Sequence, residues 1–337
     1  MDSLTQGLLG AVAAQAFCTK SLGKRAGLLG FTAGCLPDAD VIIPLLADLD
    51  LPFKYHRHFS HALVSIPAVA LLAALPFAAF RSFRRQRRAL YWAALIGVAT
   101  HGILDACTSF GTHLLWPFSL RREAWDCLPI VDPVFSLPLI VGWIWSARRK
   151  RAKPCLLAFA FVILYGLFGV WQHHRAEETL AELARHRGHT LEHHRLLPVP
   201  GSLVLWRGLY HDKGKIYGDN IRVPWIGEAG FQSFGSRPKF DRNRGFAKQP
   251  PSPEELDLLT RFETFSDRFL GVAPDHPDRL GDLRLSHHFN WDPYWGLTKP
   301  QDEITLPVWE AGYSSPSAED FSELWERIFS GARYETL

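Results

Sequence analysis

None of the spacings among the five cysteines makes a CxxC motif, so neither a disulfide scaffold nor a thiolate zinc site is expected. A net charge of +3 is too small to argue for nucleic acid. The basic residues are also bunched in short runs beside apolar segments, where the bias of cytoplasmic loops toward Lys and Arg accounts for them. The opening MDSLTQGLLGAVAAQAFC lacks a basic n-region, so it reads as a retained helix rather than a cleaved signal, and Met1 onward is expected to be mature protein. There is no internal repeat and no low-complexity tail. The most informative absence is local: long stretches of the first 172 residues carry no charge at all.

A membrane helix needs about 20 apolar residues. Ala62 to Phe80 meets this and Cys155 to Gln172 nearly does, while Ala89 to Leu104 and Ile130 to Trp145 are slightly short. Leu4 to Cys18 and Ala26 to Pro37 are shorter again and suit tilted, re-entrant or buried helices. The expected fold class is therefore mostly α: a polytopic membrane bundle of four to six segments over residues 1–172, followed by a soluble α+β domain over 173–337. Three basic groups orient it: Lys20 with Lys24 and Arg25, the run Arg81 to Arg88, and the run Arg148 to Lys153. With all three inside, His56, His58, His61, His101, Asp105, His113 and Asp132 share the outer face, as do Asp38 and Asp40, with Gln6 nearby. Cys107 and Cys127 then lie in one outer loop, where an oxidising compartment permits a disulfide.

Beyond Gln172 the composition becomes that of soluble protein, and a periplasmic domain is expected. His173 to Arg195 reads as a charged helix, SLVLWRGLYHDKGKIYGDNIRVPW as two strands joined at Gly214, PSPEELDLL as a helix start, and DLRLSHHFNWDPYWGL as a strand with an aromatic loop.

Polar chemistry collects at the ends of the apolar segments. His101 and Asp105 stand four residues apart, which places imidazole and carboxylate on one helical face, as a two-ligand metal site requires. Ionisable groups near membrane depth are costly and mark function. Here they coincide with LPDAD, holding Asp38 and Asp40, and with HRHFSH, holding His56, Arg57 and His61. A solvated interfacial loop would explain Arg57 and His58 equally well. Imidazole and carboxylate donors suit a divalent metal, zinc first, in a number the residues leave open. Arg57 has the paired donors that grip phosphate.

The succession MDSLTQGLLGA, LPDAD, HRHFSH, HGILDACTSFGTHLLWPFS and IVDPVFSLP resembles the YdjM-type, LexA-regulated inner-membrane metal-dependent hydrolases over residues 1 to about 172. PVPGSLVLWRGL is similar to the soluble tail of longer members. The resemblance implies metal-binding positions at Asp38, Asp40, His56, His61, His101 and Asp105. Two departures stand out: Gln6 where many members have His, and His58 where many have Gly. The order of Asp, His and HxxxD is also similar to part of the metal cluster of zinc-dependent phospholipases C and related nucleases. In such a cluster an HxxxE pair would be sought in His174 with Glu178 or His173 with Glu177.

Together these imply a multi-pass inner-membrane hydrolase acting on a phosphoester of a lipid or lipid-linked substrate at the periplasmic leaflet. In that reading Asp38 or Asp40, His61, His101 and Asp105 are ligands, His56 is a ligand or general base, and Arg57 clamps phosphate. The partners are the bilayer and that substrate, with no nucleic acid. A metal-ion transporter and a non-catalytic receptor or assembly factor are the rival classes.

Overall fold

The computed structural model describes residues 1–42, 56–243, 251–273, 276–286, 291, 293, 296–298, 318–329 and 334–336. The chain divides into two compact units, Met1–Trp171 and Gln172–Leu337. It is mostly helical, with a β-sheet region confined to the second unit.

In the first unit, helix α1 (Ser3–Leu22) begins where the Asp2 carboxylate accepts from the Thr5 amide at 2.9 Å, and it stops at Gly23. Helix α2 (Arg25–Cys35) runs into a 3-10 turn, Leu36–Val41, with Pro37 in its first positions. Two more 3-10 turns, Phe59–His61 and Leu63–Ser65, precede α3 (Ile66–Ala78). Then come α4 (Arg87–Ala106), α5 (Pro133–Arg149) and α6 (Lys153–His186). Two helical stretches, Arg81–Ala106 and Lys153–His186, are long and apolar enough to cross a membrane.

The apolar run from Ala62 to Phe80 does not form one continuous span. Ala62 is extended (φ −71°, ψ 144°), and α3 proper has 13 residues. At 1.5 Å per residue that is about 20 Å, short of a hydrocarbon core of about 30 Å. Just before the break, His61 is buried.

An alanine-rich core joins α1 to α4, with Ala14, Leu29, Ala33, Ala70, Ala74, Leu90, Ala94 and Val98 all buried. Small residues let these backbones nearly touch, the packing that replaces hydrophobic drive inside a bilayer. A methyl group on Gly30 would lie 2.3 Å from the Gly10 carbonyl oxygen, and one on Gly102 would lie 2.3 Å from the His61 carbonyl oxygen. Outward, Leu71, Leu72 and Leu75 of α3 and Leu156, Leu157, Ile163, Leu164 and Leu167 of α6 are exposed, an apolar surface suited to lipid.

In the second unit, β1 (His193–Pro198), β2 (Leu205–Asp212), β3 (Lys215–Arg222) and β4 (Gly230–Pro238) form an antiparallel sheet in sequence order. The predicted hairpin is present: Asp212 pairs with Lys215, and Lys213 (φ 47°) and Gly214 (φ 75°) make the two-residue turn. Helix α7 (Pro253–Phe265) starts with a capping box between Ser252 and Glu255. A second sheet follows, of β5 (Leu270–Ala273), β6 (His276–Asp282) and β7 (Gly296–Thr298). Helix α8 (Ala318–Phe329) and β8 (Glu335–Thr336) complete the unit, with β8 pairing on β4. The charged helix expected from His173 to Arg195 ends at His186, and His193–Arg195 belong to β1 instead. The strand and aromatic loop expected around Asp282 to Leu297 fall partly outside the described residues. What is described is the turn Leu283–Leu285, a bridge from Ser286 to Pro293, and β7.

Candidate metal centre

Four side chains from three separate stretches converge in the first unit. Asp38 comes from the turn after α2 and His61 from the turn before α3, while His101 and Asp105 lie one turn apart on α4. His61, His101 and Asp105 have no side-chain exposure, and Asp38 has 15%. His61 Nε2 lies 2.9 Å from His101 Nε2, 3.2 Å from Asp105 Oδ2 and 3.4 Å from Asp38 Oδ1. His101 Nε2 lies 3.4 Å from Asp38 Oδ1 and 3.7 Å from Asp105 Oδ2.

These separations bear on whether a metal fits. A tetrahedral zinc with bonds of roughly 2.0–2.1 Å needs about 3.3 Å between donor atoms, which falls inside the observed spread. Asp105 Oδ2 is buried without a hydrogen-bond partner, and buried acceptors are normally satisfied. Two imidazole nitrogens facing one another at 2.9 Å can both be lone-pair donors only if a cation lies among them. The donor set therefore fits a divalent ion.

The surrounding bonds set each donor's orientation. His101 Nδ1 donates to the Gly34 carbonyl at 2.6 Å, which leaves Nε2 as the lone-pair nitrogen. His61 Nδ1 faces the Ser60 hydroxyl at 2.9 Å and Asp40 Oδ2 at 3.4 Å. Ser3 donates to Asp38 Oδ2 at 2.6 Å, freeing Oδ1 for the centre. Asp105 Oδ1 accepts from the Met1 amino nitrogen at 2.7 Å and from Gln6 Nε2 at 2.8 Å. Gln6 Oε1 is left buried and unpartnered beside Asp105.

Asp40 and His56 lie one layer back from the quartet. Asp40 Oδ1 contacts His56 Nδ1 at 2.7 Å, and Oδ2 accepts from the Arg57 amide at 3.0 Å and the Ser60 hydroxyl at 2.6 Å. His56 keeps 25% of its side chain exposed. Arg57 is buried in the left-handed region at φ 62°, where a non-glycine residue stays only if its surroundings hold it. Its amide is held by Asp40, and its carbonyl accepts from the His113 amide at 3.0 Å and the Thr112 hydroxyl at 3.3 Å. The guanidinium lies over the Phe110 ring and reaches Asp105 Oδ2 at 3.5 Å, while Nε and Nη1 make no hydrogen bond.

The remaining candidates have other places. Asp132 caps α5, accepting from the Val134 amide at 2.8 Å and the Tyr165 hydroxyl at 2.7 Å. His174 and Glu178 form an exposed pair at 3.4 Å in the second unit, and His173 packs edge-on against Trp206. The ring of His58 lies 4.7 Å from that of His113. Cys107 and Cys127 are free thiols, not a disulfide, with Cys127 Sγ directed at the Cys107 carbonyl at 3.5 Å. Sequence reasoning missed Ser3, Ser60 and the Gly34 carbonyl. Ser3 had a usable signal, three residues before Gln6 on the same helix face; a backbone carbonyl has none.

Apolar helices closing over a buried cluster of two imidazoles and two carboxylates define the class: a helical membrane protein with a candidate metal centre. Residues 1–176 match the family described as YdjM inner membrane protein, and the chain belongs to that family. No curated protein matches the chain, and no solved structure does.

Proposed function

We propose that the chain is a metal-dependent hydrolase of the inner membrane, cleaving a phosphoester of a lipid or lipid-linked substrate at the periplasmic leaflet. The observation that carries this reading is the convergence of Asp38 Oδ1, His61 Nε2, His101 Nε2 and Asp105 Oδ2, all buried or nearly so and all within 4.8 Å of one another. A zinc ion held there would lower the pKa of a bound water and polarise a phosphoryl oxygen. The protein's own groups do the rest. Arg57, whose Nε faces Asp105 Oδ2 at 3.5 Å and whose Nη1 makes no hydrogen bond, brings a guanidinium to the edge of the quartet and receives a non-bridging phosphate oxygen there. Asp40 holds His56 through Nδ1, so the second ring nitrogen, on a partly exposed side chain, is free to accept the proton of the attacking water and return it to the leaving group. The basic runs Arg81 to Arg88 and Arg148 to Lys153 support an orientation with those loops in the cytoplasm, which would set the centre at the outer leaflet and the second unit in the periplasm.

The test is elemental analysis of the purified chain together with a panel of phosphodiesters and phosphomonoesters. His101→Ala and Asp105→Asn should lose bound metal and hydrolysis together while the protein stays in the membrane. Arg57→Lys keeps the charge but not the paired donors, so metal should remain while turnover falls about 100-fold. Retention of full metal and activity by the His101 and Asp105 variants refutes the centre. Metal bound without any hydrolysis, but moved across vesicles, would favour a transporter. A phenotype untouched by loss of all four ligands would favour a receptor.

A further inference from the structure

The segment between α4 and α5 contains a closed loop beside the centre. Its base is the bridge between Thr112 and Glu123, with both amides donating across it at 3.0 and 2.8 Å. Next to the base, the His113 amide donates to the Arg57 carbonyl, and the Leu114 carbonyl accepts from the Leu63 amide at 3.0 Å. The tip is apolar and turned outward: Phe118 is 88% exposed, Leu120 is 72% exposed, and Leu115 is also exposed. Such side chains in a row are disfavoured in water.

Part of the backbone at the tip is paired from within. The Trp116 amide donates to the His113 carbonyl, the Phe118 and Ser119 amides to the Leu115 carbonyl, and the Arg121 amide to the Ser119 hydroxyl; Pro117 has no amide hydrogen. Pairing of this kind lowers the cost of setting a non-helical turn at the boundary between headgroups and acyl chains, the depth at which interfacial segments bury their apolar side chains. The apolar surface continues from the tip through exposed Phe59, Leu63 and Val64 to Leu71, Leu72 and Leu75 of α3. The Phe59 and Trp116 rings, 6.5 Å apart, bridge the two stretches. Behind the tip stands Arg121, 79% exposed with its Nε 3.6 Å from Glu123, a long side chain able to carry its charge outward from an apolar surface.

We infer that residues 115–120 form a wedge inserted into the outer leaflet of the bilayer, with Leu115, Phe118 and Leu120 among the acyl chains and Arg121 at the headgroups. Continuity with the lipid-facing surface of α3 selects lipid as the occupant. Because the base of the wedge holds Arg57, the mouth of the centre lies at headgroup depth. Resting on the hydrolase reading, this makes the substrate an amphiphile drawn sideways from the leaflet, not a solute from the periplasm.

The test uses the unmodified chain in phosphatidylglycerol and phosphatidylethanolamine vesicles containing a phospholipid with a diazirine near the middle of one acyl chain. After irradiation and digestion, lipid adducts are expected on residues 115–120, and Phe118→Asp with Leu120→Asp should reduce them at least tenfold while adducts on α6 persist. Adducts confined to the helices, with residues 115–120 labelled by a water-soluble diazirine, overturn the wedge. Protection of the loop from both reagents also overturns it and points to a second copy as the cover. The double variant should in addition lose about tenfold of its turnover on a long-chain lipid phosphoester relative to a soluble one. If the wild-type chain hydrolyses neither, the hydrolase reading fails while the adduct map still decides the wedge.

Discussion

Replacing Gly30 by alanine tests whether helix packing sets the metal centre. The added methyl would lie 2.3 Å from the Gly10 carbonyl oxygen and 2.5 Å from the Ala14 side chain. Ordinary non-bonded contact is about 3.5 Å, so α1 and α2 must part by roughly 1 Å. Overpacking of this size costs about 1–3 kcal/mol. One turn beyond Gly30, the Gly34 carbonyl holds His101 Nδ1 at 2.6 Å. Moving it by about 1 Å takes the pair beyond the roughly 3.2 Å limit of a sound N–H···O bond. Loss of such an orienting partner typically lowers metal affinity about 10- to 100-fold. The expected result is a lower melting temperature and a zinc affinity reduced by that factor, measured in detergent by competition with a chromophoric chelator. Gly166→Ala is the control, since nothing lies within 4 Å of the added methyl. A Gly30→Ala protein that melts earlier yet binds zinc within twofold of the parent would refute the link between the helix junction and the imidazole.

Three further outcomes are expected. Asp40→Asn, which weakens the hold on His56, Ser60 and the outer nitrogen of His61 without replacing any member of the quartet, should lower zinc affinity about 10- to 100-fold but not abolish binding, as the same competition assay would read. Reporter fusions after Arg88 and Arg151 should report cytoplasm and fusions after Phe118 and Gly201 periplasm; a cytoplasmic signal after Gly201 would break the proposed orientation. Burial, and then the neighbouring His193, hold the His211 imidazole down to about 4. The unfolded chain binds the proton more readily, so this contribution to stability is intact above about pH 6.5 and is lost as pH falls toward 4, on the order of 2 kcal/mol. His211→Gln should flatten the acid limb of hydrogen-exchange protection in β2, and an unchanged limb would show that His211 does not drive it.

What could be read in advance follows from how side chains project. His101 and Asp105 were legible because helical periodicity is a strong constraint, and the Lys213-Gly214 turn was legible because few residue pairs accept positive φ twice. The division of labour between Asp38 and Asp40 was not. Both lie on a 3-10 turn, where each residue advances about 120°, so neighbours two apart point different ways and only the tertiary structure says which faces the centre. The break at Ala62 was likewise hidden, since alanine favours helix and nothing local contradicts it. At that point the His61 carbonyl packs close against Gly102, a tertiary contact that the local sequence does not announce.

With an ion bound, the quartet would also act as a clasp. Its members come from the turn after α2, the turn before α3, and α4, so one ion would tie together stretches that are far apart along the chain. Copies inserted without metal would hold two buried carboxylates against two imidazoles and open more readily, exposing cleavable turns to membrane proteases. Cellular metal supply would then set how long each molecule lasts, not only whether it works. A pulse-chase under chelation should show a shortened half-life, and His101→Ala should show that short half-life even in replete cells.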